Sequence, residues 1–475
     1  MQELNYEAVV IGAGIAGLST ALRLSELKIR TAVLEKGVDD GYPCNTRIAG
    51  GAFHVAHRDV DDPPEVILEA INQRTRGTAN PELVQALAGD IHGATAWLKA
   101  KGVRFIKVGH EIFRKHSLAP PINLNQSRYW EGRGGDVLIR TLTAELIRNG
   151  GEVLLGTRAN TLVMDADRCI GVDVLRQGTP LRVHAGAVVI CDGGFQANPE
   201  LVARYITGSP EKIRQRNSGS GTGDGLQMAM QAGAQVVGMN RFYGHILARE
   251  AMGNDALSPF PIADFLCGAG IVVDASCRRI ADEGRGGVYL VNAIAGQDDP
   301  LGTVAIFNEA VWTGPGREFI SPANPQLSQK GATVYTASTV SELAEKLDLD
   351  PQHLEKTVSD YNDAVEQGKT ESLAPPRTSD RLKPYSLRQG PYFAVRLCAG
   401  MTYTMGGLAI DGKSRVMDAD DRPIPGLYAA GCAAGGLEGG EHVAYLGGLT
   451  RSTVTALRAA DHIAAWQRSP DGHPQ

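Results

Sequence analysis

The sequence predicts an α/β fold in which a parallel-sheet domain, made from both ends of the chain, is interrupted by an inserted α+β domain. Three observations predict it: a glycine-rich turn after the first apolar strand, a second glycine-rich turn at 426–431, and a loss of strand–helix alternation between about 236 and 380. A chain of 475 residues also exceeds what one hydrophobic core usually holds. We expect residues 1–235 and 381–475 to form one domain and residues 236–380 the other.

The first element is a βαβ unit with a phosphate-binding turn. An apolar strand over 8–11 leads into the turn Gly-Ala-Gly-Ile-Ala-Gly at 12–17, which opens a helix predicted over 18–27. Backbone N–H groups of such a turn and the positive helix N-terminus bind pyrophosphate. Glu35 ends the second strand, where a carboxylate can accept both hydroxyls of an adenosine ribose. The turn alone leaves NAD, FAD and a chance glycine turn open, but strand, helix and acid together predict a Rossmann-like dinucleotide site.

The remaining elements of this domain are spread along the chain. The segment 43–52 is rich in small and polar residues and is predicted to be a loop. A strand that ends at Asp192 and Gly193 predicts a third contact with the dinucleotide. Further strands are predicted over 152–155, 170–174 and 187–190, and helices over 81–101, 226–232 and 450–467.

Composition excludes several classes of protein. The net charge of −6 is spread along the sequence without a basic block, which argues against nucleic acid or an anionic membrane as partner. No apolar stretch approaches the roughly twenty residues that span a bilayer, and the N-terminus lacks a secretory signal pattern. Seven scattered cysteines without a CxxC pair indicate reduced thiols rather than disulfides or a zinc site. We therefore expect a cytoplasmic protein that acts on a small molecule, without a metal and without membrane insertion.

Six segments, taken in order, carry a family resemblance. They are the turn 12–17 with Glu35, the segment 45–51, Gly-Thr-Gly-Asp-Gly at 221–225, Arg-Ile-Ala-Asp-Glu at 279–283, Thr-Met-Gly-Gly at 404–407, and Ile-Pro-Gly-Leu-Tyr-Ala-Ala-Gly at 424–431. They resemble the flavoprotein family of soluble fumarate reductases, which also includes 3-ketosteroid dehydrogenases, tricarballylate dehydrogenases and urocanate reductases. The resemblance covers most of the chain. It implies an FAD-binding domain of the GR2 type, a mobile capping domain, and hydride transfer between flavin N5 and a carbon next to an activating group.

The resemblance implies FAD as cofactor and places the glycine-rich turns and loops against it. The residues concerned are Gly12, Gly14, Ile15, Ala16, Glu35, Lys36, Asn45, Thr46, Ala49, Gly50, Gly51, Asp192, Gly193, Asp224, Gly431, Gly447, Gly448, Leu449 and Thr450. Succinate-type enzymes attach FAD through a histidine near the position of Asn45, so we expect non-covalent FAD here. The positive N-terminus of the last helix favours the anionic reduced cofactor.

Three cationic or proton-carrying positions of the fumarate enzymes are aromatic in this chain. Tyr403 stands where they carry a substrate-binding histidine, and Tyr445 where they carry an arginine before Leu-Gly-Gly. Their catalytic arginine follows a segment similar to 307–311, which here runs into Trp312. Carboxylates buried without those cations would cost several kcal/mol. Fumarate reduction is therefore not expected.

Tyrosines suit a ketone substrate, because a phenol O–H can stabilise the forming enolate while a second phenol takes the α-proton. Tyr445 matches the placement of a tyrosine in the 3-ketosteroid dehydrogenases, shortly before a glycine pair. Tyr403 and Tyr289 are further candidates, and packing is the alternative role for each tyrosine. His245 stands where the family places a cap-side substrate histidine, with a structural role as the alternative. Arg285 lies two residues from the family's proton-relay arginine.

We therefore expect an FAD-dependent dehydrogenase that introduces a C=C bond α,β to the carbonyl of a cyclic ketone or keto acid, such as a 3-ketosteroid or 4-oxocyclohexanecarboxylate. Its electron acceptor is expected to be oxygen, a quinone or a carrier protein. The alternatives are an enoate reductase or tricarballylate-type dehydrogenase acting on a carboxylic acid, and a flavoprotein without turnover. Arg47 and Arg451 flank the flavin-adjacent loops, where they can bind a substrate carboxylate, lie at the surface or neutralise phosphate. Arg285 has a structural alternative, an ion pair with Glu283.

Overall fold

The computed structural model describes residues 2–124, 126 and 128–469. Within this described part, the chain forms two compact units. Unit 1 is drawn from Met1–Leu201, Asn217–Arg241 and Tyr403–Gln475, and unit 2 from Val202–Arg216 and Phe242–Thr402. None of the helices in the described ranges has the length and apolar character needed to cross a membrane.

The strands and helices alternate over the first part of the chain and again near its end. The strands are β1 Gln2–Ile11, β2 Thr31–Leu34, β3 Ala52–Phe53, β4 Phe105–Ile106, β5 His116–Leu118, β6 Glu152–Leu154, β7 Thr157–Asp165, β8 Arg168–Arg176, β9 Thr179–Ile190, β10 Arg214–Gln215, β11 Val236–Val237, β12 Phe242–Ala248, β13 Ile271–Val273, β14 Val304–Asn308, β15 Tyr335–Ala337, β16 Tyr392–Thr404, β17 Gly407–Leu408, β18 Arg415–Met417 and β19 Pro423–Ala429. The helices are α1 Ile15–Glu26, α2 Asn45–Ile48, α3 Pro64–Thr75, α4 Pro81–Ala100, α5 Gly134–Arg148, α6 Pro199–Tyr205, α7 Asp224–Gln231, α8 Asp264–Ala269, α9 Gly287–Ala295, α10 Glu309–Thr313, α11 Ala323–Gln329, α12 Val340–Lys346, α13 Pro351–Glu366 and α14 Gly448–Gln467.

Unit 1 is organised around a sheet in the order β18-β19-β9-β1-β2-β6, with β8 also pairing with β9 and carrying β7. Strands β19, β9, β1, β2 and β6 run parallel to one another, whereas the edge strand β18 is antiparallel to β19, and Val10 of β1 is in register with Val33 and Val189. The apolar ends of β1, β2 and β9 are buried, as expected for parallel strands covered on both faces. Helix α1 packs against α14 and α5. The predicted α/β fold with a Rossmann-like domain is confirmed.

Two local predictions for unit 1 need correction. Helix α1 begins at Ile15 rather than at residue 18, because Gly14 adopts the extended conformation of an N-cap residue. The segment 43–52 is not a plain loop, since it contains the short helix α2 and the first residue of β3. Helix α2 lies close to α5: a Cβ atom at Gly135 would stand 2.2 Å from the Thr46 carbonyl oxygen.

Unit 2 contains a sheet centred on β16, which pairs with β10, β12, β14 and β15, while β13 pairs with the far side of β14. The β13–β14 and β14–β16 pairs are antiparallel, with Ile306 opposite Ala394. Antiparallel strands need no helical crossover, which explains why the sequence shows no strand–helix alternation here. Residues 202–216 and 381–402 belong to this unit because β10 and β16 pair within it. The functional domain limits at 235 and 380 stay a prediction.

Candidate active site

A cleft in unit 1 lies at the carboxyl ends of β1, β2 and β9, where parallel α/β sheets bind their ligands. The predicted cofactor residues that line it are Gly12, Gly14, Ile15, Ala16, Glu35, Lys36, Asn45, Thr46, Asp192, Gly193 and Asp224. Those that do not belong to its lining, among the described residues, are Ala49, Gly50, Gly51, Gly431, Gly447, Gly448, Leu449 and Thr450. Sequence reasoning missed Gln196, Ser220 and Ser452, which also line it. The polar run Ser-Gly-Ser-Gly at 218–221 was the available signal for Ser220.

The turn 12–17 is packed so closely that its outer glycines admit no side chain. A Cβ atom at Gly12 would lie 2.7 Å from the Asp192 Cα atom, and one at Gly17 would lie 1.8 Å from the Gly12 carbonyl oxygen. At Gly14 the nearest protein atom to such a Cβ would be Thr46 Oγ1, at 3.5 Å. Gly14 therefore borders the cleft at the N-terminus of α1, where backbone N–H groups and the helix dipole favour a pyrophosphate.

Glu35 is a buried carboxylate fixed at the end of β2. Its Oε2 atom accepts a hydrogen bond from Ala13 N at 2.9 Å and its Oε1 atom accepts one from Gly37 N at 2.8 Å. A carboxylate oxygen accepts two hydrogen bonds, so each oxygen retains capacity for a ribose hydroxyl. Beside it, Lys36 Nζ donates to Thr222 Oγ1 at 2.7 Å and lies 3.3 Å from Asp224 Oδ2.

Asp192 offers the cleft an acceptor that the described protein residues leave unused. Its Oδ2 atom accepts from Gly225 N at 2.7 Å, whereas Oδ1 is buried without a hydrogen-bond partner among the described residues. Burial raises the pKa of Asp192 to about 6. A buried polar atom normally has a partner, and a ligand hydroxyl is a suitable one. The glycine turn, the Glu35 carboxylate and this acceptor together fit a dinucleotide such as FAD.

Glu438 was missed by sequence reasoning and links three parts of unit 1. Its Oε2 atom accepts from the Tyr403 hydroxyl at 2.9 Å and lies 3.2 Å from Arg451 Nε. Its Oε1 atom accepts from Leu446 N at 2.7 Å and Gly447 N at 3.1 Å. Tyr403, Glu438 and Arg451 are all buried, and we call them the Glu438 cluster. An acid within the glycine-rich run Gly-Gly-Leu-Glu-Gly-Gly at 435–440 was the available sequence signal.

Within the Glu438 cluster, the predicted catalytic Tyr403 lies close to the first residue of α14. A Cβ atom at Gly448 would lie 3.2 Å from the Tyr403 hydroxyl oxygen. Burial, followed by the charge of Glu438, raises the pKa of Tyr403 well above its ordinary value. This environment suits a hydrogen-bond donor rather than a base. A catalytic role for Tyr403 stays a prediction.

Tyr445 lies in a group of rings just before the turn that opens α14. Its ring centroid is 5.4 Å from that of His54 and 6.0 Å from that of His57, both in edge-to-face geometry. Phe113 completes the group, 5.7 Å from His54 and 5.2 Å from His57. The backbone carbonyl oxygen of His54 accepts from Thr450 Oγ1 at 2.7 Å. Neither histidine is assigned a role from the sequence, although both follow the segment 45–51, which the resemblance places against the flavin.

The surface alternative for Arg47 and Arg451 is wrong, because both are buried. Arg47 forms an ion pair with Asp136, which is equally buried, and its guanidinium lies 4.7 Å from the centroid of the Tyr42 ring. Arg451 faces Glu438 as described. Each guanidinium is thus accompanied by a protein carboxylate.

In unit 2, His245 is held from both sides. Its Nδ1 atom lies 2.7 Å from Asp264 Oδ2, and its Nε2 atom lies 2.9 Å from the Tyr243 hydroxyl oxygen. Asp264 Oδ1 also accepts from Ile246 N at 2.9 Å. Tyr243 and Asp264, which we group with His245 as the His245 triad, were missed by sequence reasoning. The alternation Tyr-x-His on a strand was a signal for Tyr243, since residues two apart share a face.

Arg285 and Tyr289 contact each other in unit 2: the guanidinium carbon lies 3.8 Å from the centroid of the tyrosine ring. Glu283, the proposed structural partner of Arg285, is fully buried and is bonded by Arg279, whose Nε lies 3.0 Å from Oε1. Arg377 Nε is 4.0 Å from the same carboxylate. The catalytic roles proposed for Arg285 and Tyr289 stay predictions.

Trp312 belongs to a stack of aromatic rings in unit 2. Its ring centroid is 5.9 Å from both Phe307 and Phe393, with interplanar angles of 29° and 23°. Its carbonyl oxygen accepts from Asn324 Nδ2 at 2.9 Å. These contacts describe a packing position, and a role in catalysis stays a prediction.

One group of potential metal ligands occurs in the described residues, formed by Asp59, Asp61 and His116. Lys115 Nζ lies 2.6 Å from Asp59 Oδ2 and 3.4 Å from Asp61 Oδ2. The ammonium group already supplies the positive charge that a metal ion would bring. We assign no metal to this group.

Comparison with known proteins identifies relatives of the whole chain. A family model described as FAD binding domain matches residues 7–448. NADH:fumarate oxidoreductase of Klebsiella pneumoniae is 27% identical over 92% of this chain, which spans only 45% of that protein's length. 4-Oxocyclohexanecarboxylate 2-dehydrogenase of Sinomonas cyclohexanicum is 25% identical over 90% of this chain and 87% of its own. The 3-ketosteroid Δ1-dehydrogenase structure from Sterolibacterium denitrificans superposes with a TM-score of 0.74, covering 97% of this chain and 99% of that one; at 19% identity it shows the fold alone.

Proposed function

This chain belongs to the FAD-binding domain family and its cofactor is FAD; on this premise we propose that it is a desaturase of a cyclic ketone or keto acid. The proposed reaction places a C=C bond between the carbons α and β to the carbonyl. Bound FAD supplies the chemistry of hydride acceptance. The protein's part is to bind the ketone, to stabilise the developing enolate and to take the α-proton.

The observation that carries this proposal is the contrast between the arginines and Tyr445. Arg47 and Arg451, the two arginines that flank the predicted flavin loops in sequence, are buried against Asp136 and Glu438. A dicarboxylate such as fumarate or succinate needs a cation for each carboxylate, and these two arginines already face protein carboxylates. A neutral carbonyl needs only a hydrogen-bond donor. Tyr445, half-buried and in edge-to-face contact with the rings of His54 and His57, carries a phenol O–H that can serve as this donor.

One relative is named for a ring ketone and supports this substrate class, whereas others are named as reductases of fumarate or urocanate. The name of the Sinomonas relative combines a cyclohexane ring, a ketone and dehydrogenation, and that protein matches this chain over most of both lengths. The Klebsiella relative is named for fumarate, but it is more than twice as long as the region matched here. We therefore favour the ketone over an unsaturated carboxylic acid.

We assign to Tyr445 the hydrogen bond to the substrate carbonyl. An O–H donor aimed at the carbonyl oxygen stabilises the negative charge that develops there as the α-proton leaves. The Glu438 cluster fixes the backbone of Leu446 and Gly447 directly after Tyr445.

The proposal is tested by mixing the purified flavoprotein, under anaerobic conditions, with 4-oxocyclohexanecarboxylate, a 3-ketosteroid, tricarballylate or succinate. Loss of the flavin absorbance at about 450 nm with a ketone alone is expected. Tyr445→Phe should retain FAD and slow this bleaching by about 100-fold or more. Bleaching by tricarballylate or succinate but by no ketone would overturn the proposal in favour of carboxylic acid chemistry.

A further inference from the structure

We propose that the side-chain amide of Gln196 recognises FAD by hydrogen bonding to an edge of the cofactor on which a donor stands beside an acceptor. Two parts of FAD have such an edge. The adenine ring carries an amino group beside a ring nitrogen, and the flavin ring carries an imide N–H beside a carbonyl oxygen. Recognition of this kind is independent of the substrate that the enzyme oxidises.

Gln196 is buried in the wall of the cleft of unit 1. It follows the Gly-Gly-Phe segment at 193–195, lines the cleft and is only 2% exposed. Its Oε1 atom is buried and has no hydrogen-bond partner among the described residues. Buried polar atoms normally have a partner. An unpaired acceptor in the wall of a ligand cleft is therefore one that a bound ligand can satisfy.

Two glycines leave the space that the amide occupies. A Cβ atom at Gly221 would lie 2.1 Å from Gln196 Nε2 and 3.0 Å from its Oε1, and one at Gly194 would lie 2.8 Å from the same Oε1. Gly221 does not adopt a positive φ, so its backbone conformation alone does not require glycine. Ala197 N donates to the Gly221 carbonyl oxygen at 2.9 Å and ties the two segments together beside the amide. The position of the amide is thus fixed by its surroundings.

An amide differs chemically from the carboxylates that line the same cleft. Ionised Glu35 and Asp192 can only accept hydrogen bonds and suit hydroxyl groups, whereas an amide presents an acceptor and two N–H donors side by side. Glutamine pairs in this way with the amino group and ring nitrogen of adenine in nucleic acids. Asn45 also lines the cleft, but its Oδ1 atom already accepts from Ser218 N at 3.0 Å and Ser218 Oγ at 2.9 Å. These properties point to Gln196 as the amide that recognises the cofactor edge.

The first test compares FAD affinity with the stability of the apoprotein. Gln196→Met keeps the length of the side chain but removes its donors and its acceptor, so it should weaken FAD binding by about tenfold, measured by titration of the apoprotein. The variant apoprotein should unfold at the same denaturant concentration as the wild type or a higher one, because an unpaired buried acceptor has been removed. Gln85→Met, at an exposed position of α4, is the matched control and should change neither quantity.

The second test identifies the edge with two analogues of FAD. A dinucleotide with hypoxanthine in place of adenine carries a carbonyl where the amino group stood, and 3-methyl-FAD lacks the imide N–H of the flavin. If the amide binds adenine, the wild-type apoprotein should bind the hypoxanthine dinucleotide about tenfold more weakly than FAD, while Gln196→Met binds the two equally. If the amide binds the flavin, 3-methyl-FAD should give the same pattern instead.

A third variant tests the space around the amide. The methyl group of Gly221→Ala should displace the amide and weaken FAD binding, but it should cause no further loss when combined with Gln196→Ala. Equal FAD affinities of Gln196→Met and the wild type would overturn the proposal, and so would wild-type affinities for both analogues that equal the affinity for FAD. A variant apoprotein that is less stable but binds FAD normally would make Gln196 a packing residue. No ketone enters these measurements, so their outcome is separate from that of the proposed function.

Discussion

The Glu438 cluster of unit 1 and the His245 triad of unit 2 both join a tyrosine to a carboxylate, but they differ in burial and in the third residue. All three members of the cluster are buried, and an arginine supplies its cation. In the triad, the side chains of His245 and Asp264 are 15% and 12% exposed. Arginine keeps its charge at any ordinary pH, whereas histidine is the side chain that changes charge near neutrality. Similar residue types therefore make a buried ion pair in unit 1 and a hydrogen-bonded chain that contains a titratable residue type in unit 2.

The largest expected effect tests the claim that the cluster is a support. Glu438→Gln leaves the Arg451 guanidinium buried without its counter-charge, which costs about 3–5 kcal/mol of unfolding free energy. Chemical denaturation of the variant and the wild type measures this loss. Glu441→Gln, at an exposed position three residues further on, is the control and should change stability by less than about 0.5 kcal/mol. Equal effects of the two substitutions would contradict the description of the cluster.

Asp192 differs from the carboxylates of both groups, because it is a buried carboxyl without an ion pair among the described residues. Burial raises the pKa of Asp192 from its usual 3.8 to about 6. Between these two pH values the Asp192 carboxyl is protonated in the folded apoprotein and ionised in the unfolded chain. The stabilisation that this group contributes below pH 3.8 is therefore lost as the pH rises to about 6. The loss amounts to about 3 kcal/mol.

Asp192→Asn removes this pH dependence, because an amide does not titrate. Unfolding free energies of the wild-type and variant apoproteins, measured between pH 4 and about 7, should therefore diverge as pH rises, with the wild type losing more. Parallel curves over that interval would show that Asp192 titrates normally in the folded state.

Asp264→Asn should destabilise unit 2 less than Glu438→Gln destabilises unit 1. The amide keeps an oxygen that can accept from Ile246 N, and the substitution leaves no arginine or lysine without its counter-charge. We expect a cost of about 1–3 kcal/mol, read from the same denaturation experiment. A loss as large as that of Glu438→Gln would mean that the triad is a structural element of the same kind as the cluster.

The smallest effect is expected from Tyr403→Phe. It removes one hydrogen bond to Glu438 while leaving Arg451 in place, at a cost of about 1 kcal/mol. If Tyr403 is part of the support, ketone-dependent flavin bleaching should stay within about fivefold of the wild type. A fall as large as that expected for Tyr445→Phe would instead make Tyr403 a catalytic residue and break the distinction between the two regions.

The parts of the molecule that the sequence predicts well depend on short-range signals. The strand, the glycine turn and the helix at residues 8–26 are contiguous, and Glu35 follows at the spacing that a βαβ unit requires. Helix α14 likewise follows a glycine pair, and its predicted limits of 450–467 differ from the observed ones by two residues at the N-terminus. Periodicity and capping act within a few residues, so one sequence contains them.

The parts that it does not predict depend on pairs of distant residues. Tyr403 and Glu438 meet across 35 positions, and His245 and Asp264 across 19. No local pattern selects Glu438 over Glu441, or Asp264 over another acid, because only the folded chain brings one of them to its partner. The burial of Arg47 has the same origin, since its counter-charge Asp136 lies on α5.

The order of strands in the unit 1 sheet also determines when the ligand cleft can be completed during synthesis. Strand β9 pairs with β1 on one side and with β19 on the other, and residues near Cys432 and Ser452 line the cleft that begins at Gly12. A ribosome must therefore translate all of unit 2 before the sheet can close around the ligand site. Contacts of such sequence separation form slowly. The early βαβ unit therefore lacks one part of the cleft lining until the C-terminal segment has been synthesised.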